Sequence, residues 1–372
     1  MQVIEKRSVR TMVFYAATTL VLSASVPSAI SAQGGTLVAQ RAPGPVVART
    51  PIAPVRAFSP AYTRPSPMLT ARIDELHRNF PGKAGIAVRR IDGAWAYSKR
   101  GNDLFPQQSV SKLWVSMAAL DQVDRGLLKM ESPVSIGPEN LTLFHQPIAA
   151  RVAREGRVQE TVSSLMELAI TGSDNTANDA LLWKAGGPNA VRDFITKRQL
   201  GAIRFGPGER LLQAGIAGMN WNQAYSEGRR FYLERSKVPE FIRRKALDSY
   251  VANPIDGAAP LAIVDALAKL ARGELLSPAS TRRLVATMER TKSGPRRLKG
   301  GVPPGWRVGH KTGTGQQHSA ISTGYNDIAI ITAPDGTRYA AAVMIGSTSV
   351  GVPARMALMQ GVSKAIADYH GL

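Results

Sequence analysis

The tetrad Ser109-Val110-Ser111-Lys112 is the only S-x-x-K in the chain, and it opens a strongly apolar stretch after Phe105-Pro106. On a helix, residues three apart lie one turn apart on the same face, so the Lys112 amine can reach the Ser109 hydroxyl. A serine hydroxyl is a poor nucleophile until a base takes its proton, and this spacing therefore suits covalent catalysis. The helix N-terminus also offers unpaired N–H groups, including that of Ser109, to a developing oxyanion. Alone, such a tetrad is more often a serine cap followed by an exposed lysine. Ser173-Asp174-Asn175 lies in a loop between two helical patterns, where it could equally be a routine capping turn. Lys311-Thr312-Gly313, followed by Thr314-Gly315, sits on a strand-like run that starts at Trp306. A lysine and two hydroxyls on a strand edge can grip a carboxylate, and the glycines let the backbone approach a ligand. Lys292-Ser293-Gly294 fits the same loose pattern, but in a Gly/Pro/Arg-rich turn at a helix end, so the strand site is preferred.

Composition removes several competing chemistries. The 372 residues contain no cysteine, which excludes disulfides, thiolate metal sites, Fe–S clusters and a cysteine nucleophile. The five histidines are scattered without an H-x-x-x-H pair, and there is neither a G-x-S-x-G elbow nor a P-loop frame. No metal and no cofactor is expected. The formal charge of +20 suggests an anionic surrounding such as a cell-wall polymer, with no requirement for nucleic acid.

The elements that must position these residues follow from patterning. Residues 1–32 carry a basic start, a short apolar run from Met12 to Leu22 and a small-residue exit, the pattern of a secretory signal peptide cleaved near Ala32. The apolar run is too short for a stable membrane span. Residues 33–68 hold seven prolines and four arginines with no acid, the composition of an extended linker. The folded part is expected over 69–372. There Thr70–Phe80 reads as a helix, and Ala84–Arg90 and Ala94–Arg100 alternate around Asp92-Gly93 as a hairpin. Helical periodicity dominates from Ser109 to Thr291, strands return at Trp306–Lys311, Asp327–Thr332 and Tyr339–Ile345, and a last helix covers Pro353–Tyr369. The expected fold class is α/β of the α+β kind: one antiparallel five-stranded sheet from both chain ends, flanked by helices, beside an all-helical lobe. A cleft between the lobes is the natural place for a ligand.

Each motif is weak singly, but S-x-x-K, S-D-N and K-T-G in that order, on helix, loop and strand, resemble the penicillin-recognising serine enzymes. GSDNTAN over Gly172–Asn178 and GVPPGWRVGHKTGTG over Gly301–Gly315 extend the resemblance to class A serine β-lactamases, across roughly 69–372. It implies a β-lactamase/transpeptidase-like fold and a secreted or periplasmic monomer that opens the lactam amide of penicillins or cephalosporins. In that reading Ser109 attacks, and Lys112 is the acylation base or part of its proton path. Ser173 passes a proton to the leaving nitrogen, and Ser109 and Thr314 supply the oxyanion N–H groups. Asn175 holds the side-chain amide, while Lys311, Thr312, Gly313 and Thr314 hold the carboxylate, with Arg297 or its neighbour Arg296 assisting. Glu209 would activate the deacylating water, although Gln213 stands where the family pattern E-x-x-x-N has Asn. Pro207 replaces the arginine that usually ties this loop, the stretch 214–254 is longer than usual, and His310 precedes Lys311 where an acid is common. These departures keep two alternatives open: a DD-peptidase-like cell-wall hydrolase, or a penicillin-binding sensor or scavenger that deacylates slowly.

Overall fold

The computed structural model describes residues 65–370; the signal-peptide and linker readings over 1–64 lie outside the described residues. Its first helix spans Pro67–Arg78, three residues earlier than periodicity predicts. Ser66 accepts a hydrogen bond from the Leu69 N–H, and Pro67 sits at the first helical position, where its missing N–H costs nothing. The start of the helix is therefore written in capping chemistry, while the apolar stripe of Leu69 and Ile73 marks only its middle.

The central sheet is antiparallel. Its strands run Ala96–Lys99, Lys83–Arg90, Arg338–Thr348, Ile321–Thr332 and Arg307–Gly313 in spatial order, and the two-residue strand Gln317–His318 pairs with Ile321–Thr332. The five expected strands are thus present, with one short addition beside the last. Neither long strand shows a clean polar alternation, because both faces of the sheet are covered. Ile86, Val88, Ala341 and Val343 face the terminal helices Pro67–Arg78 and Val352–His370. Ala87, Ala340, Ala342 and Met344 face the helical lobe instead. At the centre of that lobe is the helix Lys112–Asp124, in which every residue from Lys112 to Leu120 is buried. A helix wrapped on all sides has no polar face, so its apolar stripe is only part of what it buries. Among the described residues no helix is long and apolar enough to cross a membrane.

The sheet and the central helix are tied by one side chain. Asn326 is fully buried on the strand Ile321–Thr332. Its Nδ2 donates to the carbonyls of Pro106 (2.7 Å) and Gln107 (3.0 Å), and its Oδ1 accepts from the Ile345 N–H (3.1 Å). Removing the amide would leave three buried backbone groups without that partner. Asn326→Ala should therefore cost about 2–4 kcal/mol in chemical denaturation. A loss below about 0.5 kcal/mol would show that the Pro106–Gln107 turn is held by other means.

Candidate active site

Ser109 does not open an α-helix directly. It lies in a single 3-10 turn, Gln108–Ser111, which feeds into the helix Lys112–Asp124. Gln108 just before it is held in the left-handed region at φ 53°. That conformation is costly for a side chain other than glycine, and it persists because neighbours over-determine it. The Gln108 N–H donates to Asp256 Oδ2 (2.8 Å), and its side-chain Nε2 donates to the Tyr250 hydroxyl. Gln107 is anchored as well, giving Nε2 to the Arg204 carbonyl (2.8 Å) and accepting from the Trp114 indole.

Behind Ser109 two fully buried lysines converge on Ser173. Lys112 Nζ donates to the Ser173 carbonyl (2.7 Å), to Asn175 Oδ1 and, more weakly, to Ser173 Oγ (3.4 Å). Its hydrogen bonds go to these acceptors and not to the Ser109 hydroxyl that helical spacing alone would select. A buried ammonium takes the strongest acceptors available, and here they lie on the facing turn. Lys311 Nζ donates to Ser173 Oγ (2.9 Å) and to the Thr312 carbonyl (3.0 Å). Ser173 can receive both because it is left-handed, at φ 60°, just before Asp174 caps the next helix. Burial pushes the Lys112 ammonium below its ordinary range, partly offset by Glu209, Asp174 and Asp179. Burial pushes Lys311 down further, helped by the nearby charges of Lys112 and Arg297.

The opposite wall is the helix Glu209–Ile216, with Glu209 and Gln213 one turn apart on the same face. Gln213 Nε2 donates to Glu209 Oε1 (3.0 Å) and to Gln108 Oε1 (2.8 Å), while its own Oε1 accepts from Gln316 Nε2 (3.0 Å). The Gln in place of Asn thus still reaches the glutamate, and it also ties the loop to the turn before Ser109. The Glu209 N–H donates to Asp179 Oδ1 (3.1 Å). Glu227 and Glu234, two carboxylates of the stretch 214–254, do not line the cleft.

Around the strand Arg307–Gly313 lie the residues expected to hold a carboxylate. Arg297, rather than the exposed Arg296, is buried there. It donates to the carbonyls of Gly313 (3.0 Å) and Asn326 (2.6 Å) and to Thr314 Oγ1 (2.7 Å), and stacks over Tyr325 at 3.8 Å. Gly313 has no room for a side chain: a Cβ there would collide with the Gln107 carbonyl. Ser293 of the competing Lys292-Ser293-Gly294 turn also reaches the cleft, its hydroxyl 2.8 Å from that of Thr312. His310 points away, with Nδ1 3.0 Å from Asp327 on the neighbouring strand.

Ser109, Ser173, Asn175, Glu209, Arg297, Thr312 and Thr314 therefore line one cleft of about 540 Å³, with Lys112 and Lys311 buried beneath it. The residues that sequence reading leaves out are Gln108, Gln316, Tyr250, Asp256 and Asp179, together with Tyr232 and Arg235 on the cleft wall, and Ser293 was set aside with its turn. Glutamine and tyrosine carry no spacing signature, and Tyr250 lies 142 residues from its partner Gln108. The repeated glutamines at 108, 213 and 316 were visible, but nothing in the sequence placed them together.

Residues 68–370 match the model of the beta-lactamase enzyme family. The extended-spectrum beta-lactamase PER-1 of Pseudomonas aeruginosa is 27% identical, over 75% of this chain and 80% of its own. The crystal structure of a beta-lactamase from Chitinophaga pinensis shares the fold at 24% identity with a TM-score of 0.67, covering 81% of this chain and 98% of that one. An ancestral class A beta-lactamase is 29% identical with a TM-score of 0.62, over 81% of this chain and 99% of its own.

Burial raises the Asp179 carboxyl to about 6, with the adjacent Glu209 charge adding to the shift. The folded state therefore binds this proton more tightly than the unfolded chain, and ionisation costs stability. That cost is absent below the unfolded value near 4 and grows as pH rises to about 6. Asp179→Asn keeps an oxygen for the Glu209 N–H and should stabilise the protein by about 1–3 kcal/mol above pH 7, the gain fading between pH 6 and 4. Thermal unfolding across pH 4–8 measures it; a variant less stable than wild type at pH 8 would mean that the charge itself is needed.

Proposed function

This chain belongs to the beta-lactamase enzyme family, and we propose that it is an exported class A serine enzyme that hydrolyses the β-lactam amide of penicillins and cephalosporins. The observation that carries this reading is Ser173 Oγ, bridged between the buried Lys112 and Lys311 amines beside Ser109. Ser109 Oγ attacks the lactam carbonyl, and its proton leaves along the path headed by Lys112, whose ammonium is depressed by burial. The N–H groups of Ser109 and Thr314 receive the oxyanion. The C–N bond then breaks, and Ser173 hands a proton to the departing nitrogen and is resupplied through the lysines.

The substrate carboxylate sits against Thr312 and Thr314, in the field of Lys311 and Arg297. Asn175 Nδ2, which donates to the Leu143 carbonyl, also lies close to where the acyl amide would pass. For deacylation, Glu209 takes a proton from water as it attacks the ester carbonyl, and Ser109 Oγ leaves and is reprotonated. Gln213 orients the carboxylate by holding Oε1. The chemistry needs no cofactor and no metal. The sequence of residues 1–64 supports export through a cleaved signal peptide and a basic linker suited to anionic cell-wall polymer, and the family resemblance implies a monomer.

A chromogenic cephalosporin followed alongside intact mass tests the proposal. Many turnovers without a lasting adduct are expected, and neither turnover nor adduct in Ser109→Ala. Glu209→Gln should accumulate the acyl-enzyme, slowing its hydrolysis by about 10²–10⁴. A stoichiometric, persistent adduct in the wild type would instead identify a slow-deacylating sensor or a peptidase.

A further inference from the structure

Most of the stretch 214–254, which reads as longer than usual, folds into two helices, Arg230–Lys237 and Glu240–Ala252. The first is fastened by Phe231, buried against Leu143 and Ala217. Its next turn carries Tyr232 and Arg235 into the lining of the cleft. Tyr232 and Phe144, with ring centres 5.9 Å apart, form an exposed aromatic wall there.

Arg235 is half-buried on that wall. It donates Nη2 to the Gln317 carbonyl (2.8 Å), and its Nε is buried without a partner. The neighbouring Arg243 likewise keeps a buried Nε without a partner. Among the described residues neither guanidinium forms an ion pair, although Glu234 and Glu240 lie on the same two helices. Glu234 pairs with Lys237 (2.9 Å), and Glu240 lies 3.8 Å from His318. Burial and the charge of Arg243 both disfavour the Arg235 cation. Two like charges held together, one of them facing a ligand cleft, leave an unmet demand for an anion. Arg297 is not the group that would serve such an anion, because its donors are committed to Gly313, Asn326 and Thr314. Arg235 enters the cleft farther along, at Gln317, past Thr314 and Gly315.

We propose that Arg235 is a specificity residue that recognises a carboxylate on the acyl side chain of the β-lactam, the aryl part of that side chain lying on Tyr232 and Phe144. The proposal rests on the reading of this cleft as a β-lactam site. The recognition is a charge-assisted hydrogen bond to the free Arg235 donors, made in the bound ground state, so it acts mainly through KM.

Three penicillins isolate the effect, because they differ only at the α-carbon of the side chain: benzylpenicillin (hydrogen), ampicillin (ammonium) and carbenicillin (carboxylate). For the full chain, Arg235→Gln should lower the kcat/KM ratio of carbenicillin to benzylpenicillin by about fivefold or more, chiefly in KM. The ratio of ampicillin to benzylpenicillin should rise or hold. Arg235→Lys, which keeps the charge, should hold the carbenicillin ratio within about twofold of wild type. An unchanged carbenicillin ratio in Arg235→Gln, or an equal loss on all three penicillins, would overturn the proposal and leave Arg235 as a strut for Gln317. If the wild type neither hydrolyses nor is acylated by any of the three, the β-lactam reading itself falls and takes this one with it.

Discussion

Two ammonium groups held away from water set the terms for everything around this cleft. Lys112 and Lys311 are both fully buried, and a buried cation needs dense, well-placed acceptors. The chain meets the need with one turn, through the Ser173 carbonyl and hydroxyl and the Asn175 amide oxygen, and with the Thr312 carbonyl of the strand Arg307–Gly313. That requirement explains the left-handed Ser173, which brings carbonyl and hydroxyl to the same pair of amines. It also explains why Asp174 is buried: it caps the helix Asn175–Lys184 at Ala177 and holds the Ile148 N–H, fixing the turn from two sides. Its carboxyl is raised by burial, a cost accepted because the turn cannot move without stranding both lysines.

The parts of this structure legible in the sequence are those specified locally or by order along the chain. Asp92-Gly93 marked a hairpin because turn chemistry acts over a few residues. Ser109, Ser173 and Lys311 were readable together because three short motifs kept their order. The beginning of the nucleophile helix was misread by three residues because a 3-10 turn and an α-helix share the same apolar spacing over so short a span. The helices Arg230–Lys237 and Glu240–Ala252 were legible only as part of a generally helical stretch, without bounds of their own. Arg230–Lys237 buries only Phe231, so no stripe of helical period stands out from its arginines. The polar links among Gln108, Gln213, Gln316 and Tyr250 depend on contacts between distant segments, which composition does not encode.

The loop that carries Glu209, in which Pro207 replaces the usual tying arginine, is fastened by amides. Gln213 orients the carboxylate through Oε1 without adding a charge, and passes the restraint to Gln108 and Gln316. The cost appears nearby: Asp179 and Asp256 are both raised to about 6 by burial, with no arginine or lysine bonded to either. Asp256 is retained because its Oδ2 holds the strained Gln108 N–H, and so the approach to Ser109.

The insertion therefore bears on both walls of the cleft at once. From the helix Glu240–Ala252, Tyr250 holds Gln108, which holds Gln213, which holds Glu209. From the helix Arg230–Lys237, Arg235 holds the Gln317 carbonyl, next to Gln316, which closes the same set of amides from the strand side. A substrate group that draws on Arg235 pulls on the segment that positions the Gln213 amide, and through it the carboxylate at the deacylating step. Side-chain recognition and water activation thus share one hydrogen-bonded frame, and the packing of Phe231, Leu247 and Tyr250 beneath the insertion is what gives that frame its rigidity.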